Sequence, residues 1–141
     1  VLLPAAGVMV LGGCGDTSSG HDSAAGTSPV DARCQRVADA ARWEGVVQAG
    51  PKTTTLDEHD DYFSPTCIRV PWNKPVRLVV TNLGHMPHTV TVDGTPVDTD
   101  VDSGETVFVT VPATKVPLRI VCTFHVDQRM FAAVIPMKGL A

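Results

Sequence analysis

Three side chains able to hold a soft metal ion fall within nine consecutive residues near the C-terminus, Cys122-Thr123-Phe124-His125-Val126-Asp127-Gln128-Arg129-Met130. A thiolate, an imidazole and a thioether on one short segment, completed by a second imidazole from elsewhere, form the mixed nitrogen and sulfur set that copper electron-transfer sites use. Two imidazoles suit Cu(II), sulfur suits Cu(I), and a weak axial thioether enforces neither ion's preferred geometry. Such a set passes one electron without large rearrangement. The Cys must be a thiolate and both His neutral, so metal affinity is expected to fall as pH falls.

The second imidazole has two candidates, His85 and His88, in Asn82-Leu83-Gly84-His85-Met86-Pro87-His88-Thr89-Val90. Alternation along a strand puts His88, Val90 and Val92 on one face, which favours His88. The same alternation puts Leu118, Ile120 and Cys122 on one face of another strand. If both faces are halves of one core, His88 and Cys122 converge at one pole, and the strand beginning at Phe131 leaves that pole directly after Met130. Met130 offers a thioether for a weak axial position, with Gln128 as the fallback, since such a site also accepts Gln. Phe124, Met86, Pro87 and Phe131 would form a dry apolar collar around the ion.

The elements that must position these residues read as strands. From Lys52 onward, short runs rich in Val, Thr and Ile alternate with Pro, Gly, Asn and Asp, the pattern of an antiparallel sandwich or barrel. Strands are expected at 53–56, 67–70, 76–81, 88–92, 106–111, 118–122 and 131–135. An Ala-rich stretch, Arg33 to Trp43, predicts a short helix ahead of them. The acidic run Asp57-Glu58-His59-Asp60-Asp61 reads as a solvated turn, and His59 receives no ligand role.

These features resemble the cupredoxins, the blue-copper domains of the plastocyanin and amicyanin kind, over roughly residues 52–136. The carriers of the resemblance are Asn82-Leu83-Gly84 with Pro87-His88, and Cys122-x-x-His125-x-x-x-x-Met130 ahead of an apolar strand. It implies an all-β Greek-key sandwich over residues 52–141, with residues 33–51 as a helical segment packed on it. It implies one type 1 copper ion held by His88, Cys122, His125 and Met130, and one-electron transfer between redox partner proteins rather than catalysis. The alternative is the same ligand set used for copper storage, delivery or tolerance. Arg129 departs from the glycine usual before the axial Met in this family.

The 141 residues suffice for one domain. A formal net charge of −4 offers no basic face, which argues against nucleic acid as a partner. A monomer is expected. Val1 to Leu11 is an apolar run too short to span a bilayer, and with Leu11-Gly12-Gly13-Cys14 it resembles a secretory signal ending in a bacterial lipoprotein box. Cys14 would then carry lipid that anchors the protein to a membrane surface, at the outer face or in the periplasm. No cationic segment precedes the run, which suggests a start upstream of Val1. Residues 15–32, rich in Ser, Gly and Ala and containing His21, read as a flexible tether. With Cys14 lipidated and Cys122 on copper, Cys34 and Cys67 remain. They are either a disulfide suited to an oxidising compartment or two unrelated thiols. If Ile68 and Val70 face inward, Cys67 faces outward, toward the preceding helix.

Overall fold

The computed structural model describes residues 28–141, so Cys14, His21 and the expected signal lie outside the described residues. A helix, α1 (Pro29–Val37), precedes ten strands: β1 (Val46–Gln48), β2 (Thr54–Glu58), β3 (Phe63–Ser64), β4 (Cys67–Pro71), β5 (Val76–Asn82), β6 (His88–Val92), β7 (Asp98–Val101), β8 (Thr106–Val111), β9 (Leu118–Val121) and β10 (Phe131–Met137). They form two sheets, a six-stranded one in the order β1-β4-β10-β9-β6-β7 and a four-stranded one in the order β3-β2-β5-β8.

Alternation decides which side chains fill the space between the sheets. Leu56 of β2, Leu78 and Val80 of β5, Val90 and Val92 of β6, Ile120 of β9 and Val134 of β10 are fully buried in one core. Each such side chain contributes roughly 1.5–3 kcal/mol by leaving water. Strand β10 is the exception that explains its unbroken apolar sequence. Its inner face, Ala132 and Val134, joins the main core, while its outer face, Ala133 and Ile135, joins Cys34, Ala38 and Cys67 in a second small core under α1. A strand covered on both faces has no polar side to show.

The helix lies upstream of its expected position. It spans Pro29–Val37 rather than 33–43, so the tether expected through residue 32 ends earlier. Ser28 is the reason: its Oγ accepts a hydrogen bond from the Val30 N–H at 3.2 Å, and Pro29 supplies a preset first helical turn. The helix stops where Asp39 and Ala40 adopt φ of 46° and 60°, backbone that cannot continue a right-handed helix. Cys34 and Cys67 form a disulfide, with Cα atoms 5.7 Å apart. Ile68 and Val70 face the main core while Cys67 points to the other side of β4, beneath α1.

Three strands go unread in the sequence, β1, β3 and β7, of three, two and four residues. All are edge strands, too short or too polar for an alternation signal. Because β1 pairs in parallel with β4 through Val46 opposite Cys67, the sheet begins before residue 52, the expected boundary.

Candidate metal centre

The two sheets bring three donors to one pole. His88 opens β6, Cys122 immediately follows β9, and His125 ends a single 3₁₀ turn, Thr123–His125. The turn is closed by the His125 N–H donating to the Cys122 carbonyl at 3.1 Å. The far end of the loop folds back: the Met130 N–H donates to the His125 carbonyl at 3.2 Å, and the Cys122 N–H to the Met130 carbonyl at 3.1 Å. Residues 122, 125 and 130 are thus tied together through the backbone, whatever their side chains do.

The first-histidine arm is tied to the same loop. The Thr89 N–H points at the Cys122 sulfur at 3.4 Å, and Thr89 Oγ1 accepts from the Thr123 N–H at 2.8 Å. Asn82, fully buried, braces the approach to His88: its Nδ2 donates to the Met86 and Val101 carbonyls at 2.8 and 2.9 Å, and its Oδ1 accepts from the Gly84 N–H at 2.9 Å. Nothing in the sequence marks Thr89 and Thr123 for this role, because a threonine on a strand or loop carries no periodic signal of it.

The Nδ1 atoms of His88 and His125 stand 3.1 Å apart, and the Cys122 sulfur lies 3.6 Å from the first and 3.3 Å from the second. Two ring nitrogens facing each other so closely cannot both carry protons. Donors bound to one ion at about 2.0–2.3 Å are separated by roughly 3.2–3.7 Å. The observed set has that size, and its chemistry, two imidazoles and a thiol, is what copper accepts. Among the described residues, His88, Cys122 and His125 are the one group of three or more such donors close enough to share an ion. The protonation preferences also fit. Burial, with the charge of His125 second, pushes the His88 pKa down and keeps the ring neutral. Burial raises the Cys122 thiol, opposed by the N–H groups of Thr89, Phe124 and His125, so an ion must displace that proton.

Of the two candidates for the axial position, Met130 is fully buried and Gln128 is exposed. His85 is almost fully exposed and faces Asp60, with Nδ1 3.3 Å from Oδ2. Hydrogen bonds from the His85 backbone and side chain hold the Asp60 pKa below its ordinary value. His59 stacks on Tyr62 with ring centroids 4.3 Å apart and is not one of the grouped donors. The expected dry collar is instead a surface rim: Met86 and Phe124 are about half exposed and Pro87 is exposed, and Phe131 alone of the four is buried. These residues sit on loops crossing between or within sheets at the pole, where nothing covers their outer sides.

The acidic run is not wholly a solvated turn. β2 extends to Glu58, which shares the inward face of Thr54 and Leu56 and has no exposed surface. Among the described residues neither carboxylate oxygen has a hydrogen-bond partner, and burial raises the pKa to about 8. When ionised, Glu58 adds to the rise of the Cys122 thiol that burial causes first. The phase Thr54, Leu56, Glu58 was readable in the sequence but was outweighed by the charge of its neighbours.

A two-sheet sandwich with a His, Cys, His cluster at one pole defines a class of copper-competent domains. The Cupredoxin-like domain family matches residues 36–134, well over half the chain, and the chain belongs to that family. Solved structures share the fold. Auracyanin B aligns with a TM-score of 0.53 at 18% identity, over 69% of this chain and 94% of that one. The dithionite-reduced auracyanin of Roseiflexus castenholzii aligns at 0.53 and 11% identity, over 63% and 98%. The periplasmic domain of cytochrome oxidase subunit II of Bradyrhizobium japonicum aligns at 0.53 and 16%, over 63% and 86%. No curated protein matches the chain by sequence. Among the described residues no helix is long and apolar enough to cross a membrane.

Proposed function

We propose that this protein is a type 1 copper electron carrier working outside the cytoplasmic membrane, tethered there through lipid on Cys14, with His88, Cys122, His125 and Met130 as the ligands. The observation that carries the reading is the buried convergence of two Nδ1 atoms and one sulfur, all within 4.8 Å of one another. A bound copper ion would supply a one-electron couple, and the thiolate and thioether would support its reduced state. The chain's own residues do the rest. Backbone bonds from Thr89, His125 and Met130 hold the donors in one arrangement for both oxidation states, which keeps reorganisation small.

Of the three donors, His88 and Cys122 have no exposed surface and His125 keeps 6%. His125 is therefore the edge through which an electron enters and leaves. Phe124 and Val126 beside it, with Leu83 and Met86 on the His88 arm, are exposed apolar side chains against which redox partners dock. Cupredoxin-fold proteins include an oxidase subunit as well as auracyanins.

Addition of Cu(II) to the metal-free protein should give one equivalent of tightly bound copper with intense thiolate-to-copper absorption. Cys122→Ser should remove the colour while leaving the fold. A stoichiometric but colourless Cu(II) complex of the unaltered protein would reject the type 1 site. Rapid reversible reduction by a small redox donor separates carriage from storage or delivery, for which slow reduction and transfer of the ion to an acceptor are expected.

A further inference from the structure

Arg129 stands immediately before Met130 with φ of 54°, left-handed backbone that an arginine seldom occupies. Its side chain does not drift in solvent. Nη1 donates to the Asp39 carbonyl at 3.0 Å and lies 3.2 Å from the Asp39 carboxylate. Asp39 belongs to the turn that ends α1, with Asp39 and Ala40 both left-handed and the Ala41 N–H closing on the Ala38 carbonyl at 3.0 Å. That turn is itself immobilised. Ala38 is buried in the small outer core, and four residues earlier the Cys34–Cys67 disulfide joins α1 to β4.

The N-terminal segment is therefore attached to the sandwich at two points of different kind. One is covalent, through Cys67. The other is Arg129, which reaches back 90 residues to a single turn. On the loop side, the Arg129 N–H donates to the Val126 carbonyl at 2.9 Å and the Phe131 N–H to the Arg129 carbonyl at 2.9 Å, so the residue also shapes the tight reversal between the loop and β10. Moving its backbone moves Met130.

We propose that Arg129 is a positioning residue for the metal centre: held by Asp39, it fixes the reversal that presents Met130, which makes the segment 29–41 a working part of the site. The inference rests on the reading of Met130 as the axial ligand. An exposed ion pair alone contributes little. Here two acceptors on one anchored turn receive the same guanidinium, and the loop gains a fixed point that its own hydrogen bonds do not provide.

The test uses the full chain with its disulfide intact, as R129A, R129G, R129K, D39A and the double variant R129A/D39A. Met130 amide hydrogen exchange is followed in the metal-free protein, and the ratio of the charge-transfer bands in the Cu(II)-loaded protein. R129A and R129G should each speed Met130 exchange about tenfold and shift the band ratio. R129K, which keeps a cation able to reach Asp39, should stay within about threefold of the unaltered protein. D39A, which leaves the Asp39 carbonyl as an acceptor, should give part of the R129A effect and add nothing to it in the double variant. A wild-type spectrum and exchange rate in R129G would overturn the proposal, since the backbone shape alone would then suffice. Additive effects of R129A and D39A would overturn it as well. Failure of the site reading is recognised separately: the unaltered protein would not turn blue, while exchange in the metal-free protein would still decide whether the clamp holds Met130.

Discussion

Replacing Glu58 by glutamine should change the pH dependence of stability more than any other single substitution. The Glu58 carboxyl has no exposed surface, no partner for either oxygen among the described residues, and a pKa raised to about 8 by burial. In the unfolded chain the same group ionises near 4.5, its ordinary value. Between these values the folded protein keeps a proton that the unfolded chain has lost. Stability is therefore full below about pH 4.5, falls as pH rises, and has lost this contribution above about pH 8. The slope is ~1.4 kcal/mol per pH unit, which gives a loss of about 3 kcal/mol by pH 7. Glutamine keeps the size and stays neutral at every pH, so Glu58→Gln should lack this slope. The measurement is chemical denaturation of both metal-free proteins from pH 4.5 to 8, followed by fluorescence of the two tryptophans. Titration of His88 and Cys122 occurs in both proteins and cancels in the difference to first order. The difference should grow by about 3 kcal/mol between pH 4.5 and 7 in favour of the glutamine variant. Parallel curves would show that Glu58 ionises in place, and the account of its burial would be wrong.

Asn82→Ala should destabilise the fold by about 2–4 kcal/mol, because it strands one buried carbonyl, one partly buried carbonyl and one buried N–H at the His88 arm. Thermal unfolding measures the loss, and a cost below about 0.5 kcal/mol would deny Asn82 its bracing role. Replacing Cys34 and Cys67 together by serine opens a loop with a sequence separation of 33 and should cost about 3–4 kcal/mol on chain-entropy grounds. Denaturant unfolding in the presence and absence of a reductant checks this, since only the unaltered protein should respond to reduction.

Much of the site was legible because its information is local or periodic. Cys122, His125 and Met130 lie on one loop, and alternation along β6 and β9 selects the inward positions of His88 and Cys122 without any knowledge of how the sheets pack. The strands with strong alternation, such as β5 and β6, were likewise visible, as was the outward direction of Cys67 relative to Ile68 and Val70. What escaped was decided between segments distant in the chain. Glu58 is buried because β2 pairs in parallel with β5 and runs on to the pole, a pairing that local charge concealed. The edge strands β1, β3 and β7 exist only because neighbours offer them free backbone groups. The helix boundary turned on one Ser28 cap and two left-handed residues rather than on alanine content. The role of Arg129 was invisible for the plainest reason: its partner, Asp39, comes within 3.0 Å only after α1 has been laid across β10. Residue types and their spacing determined which chemistry the chain can perform; the packing of remote segments decided how rigidly its donors are held and which carboxyl is buried with them.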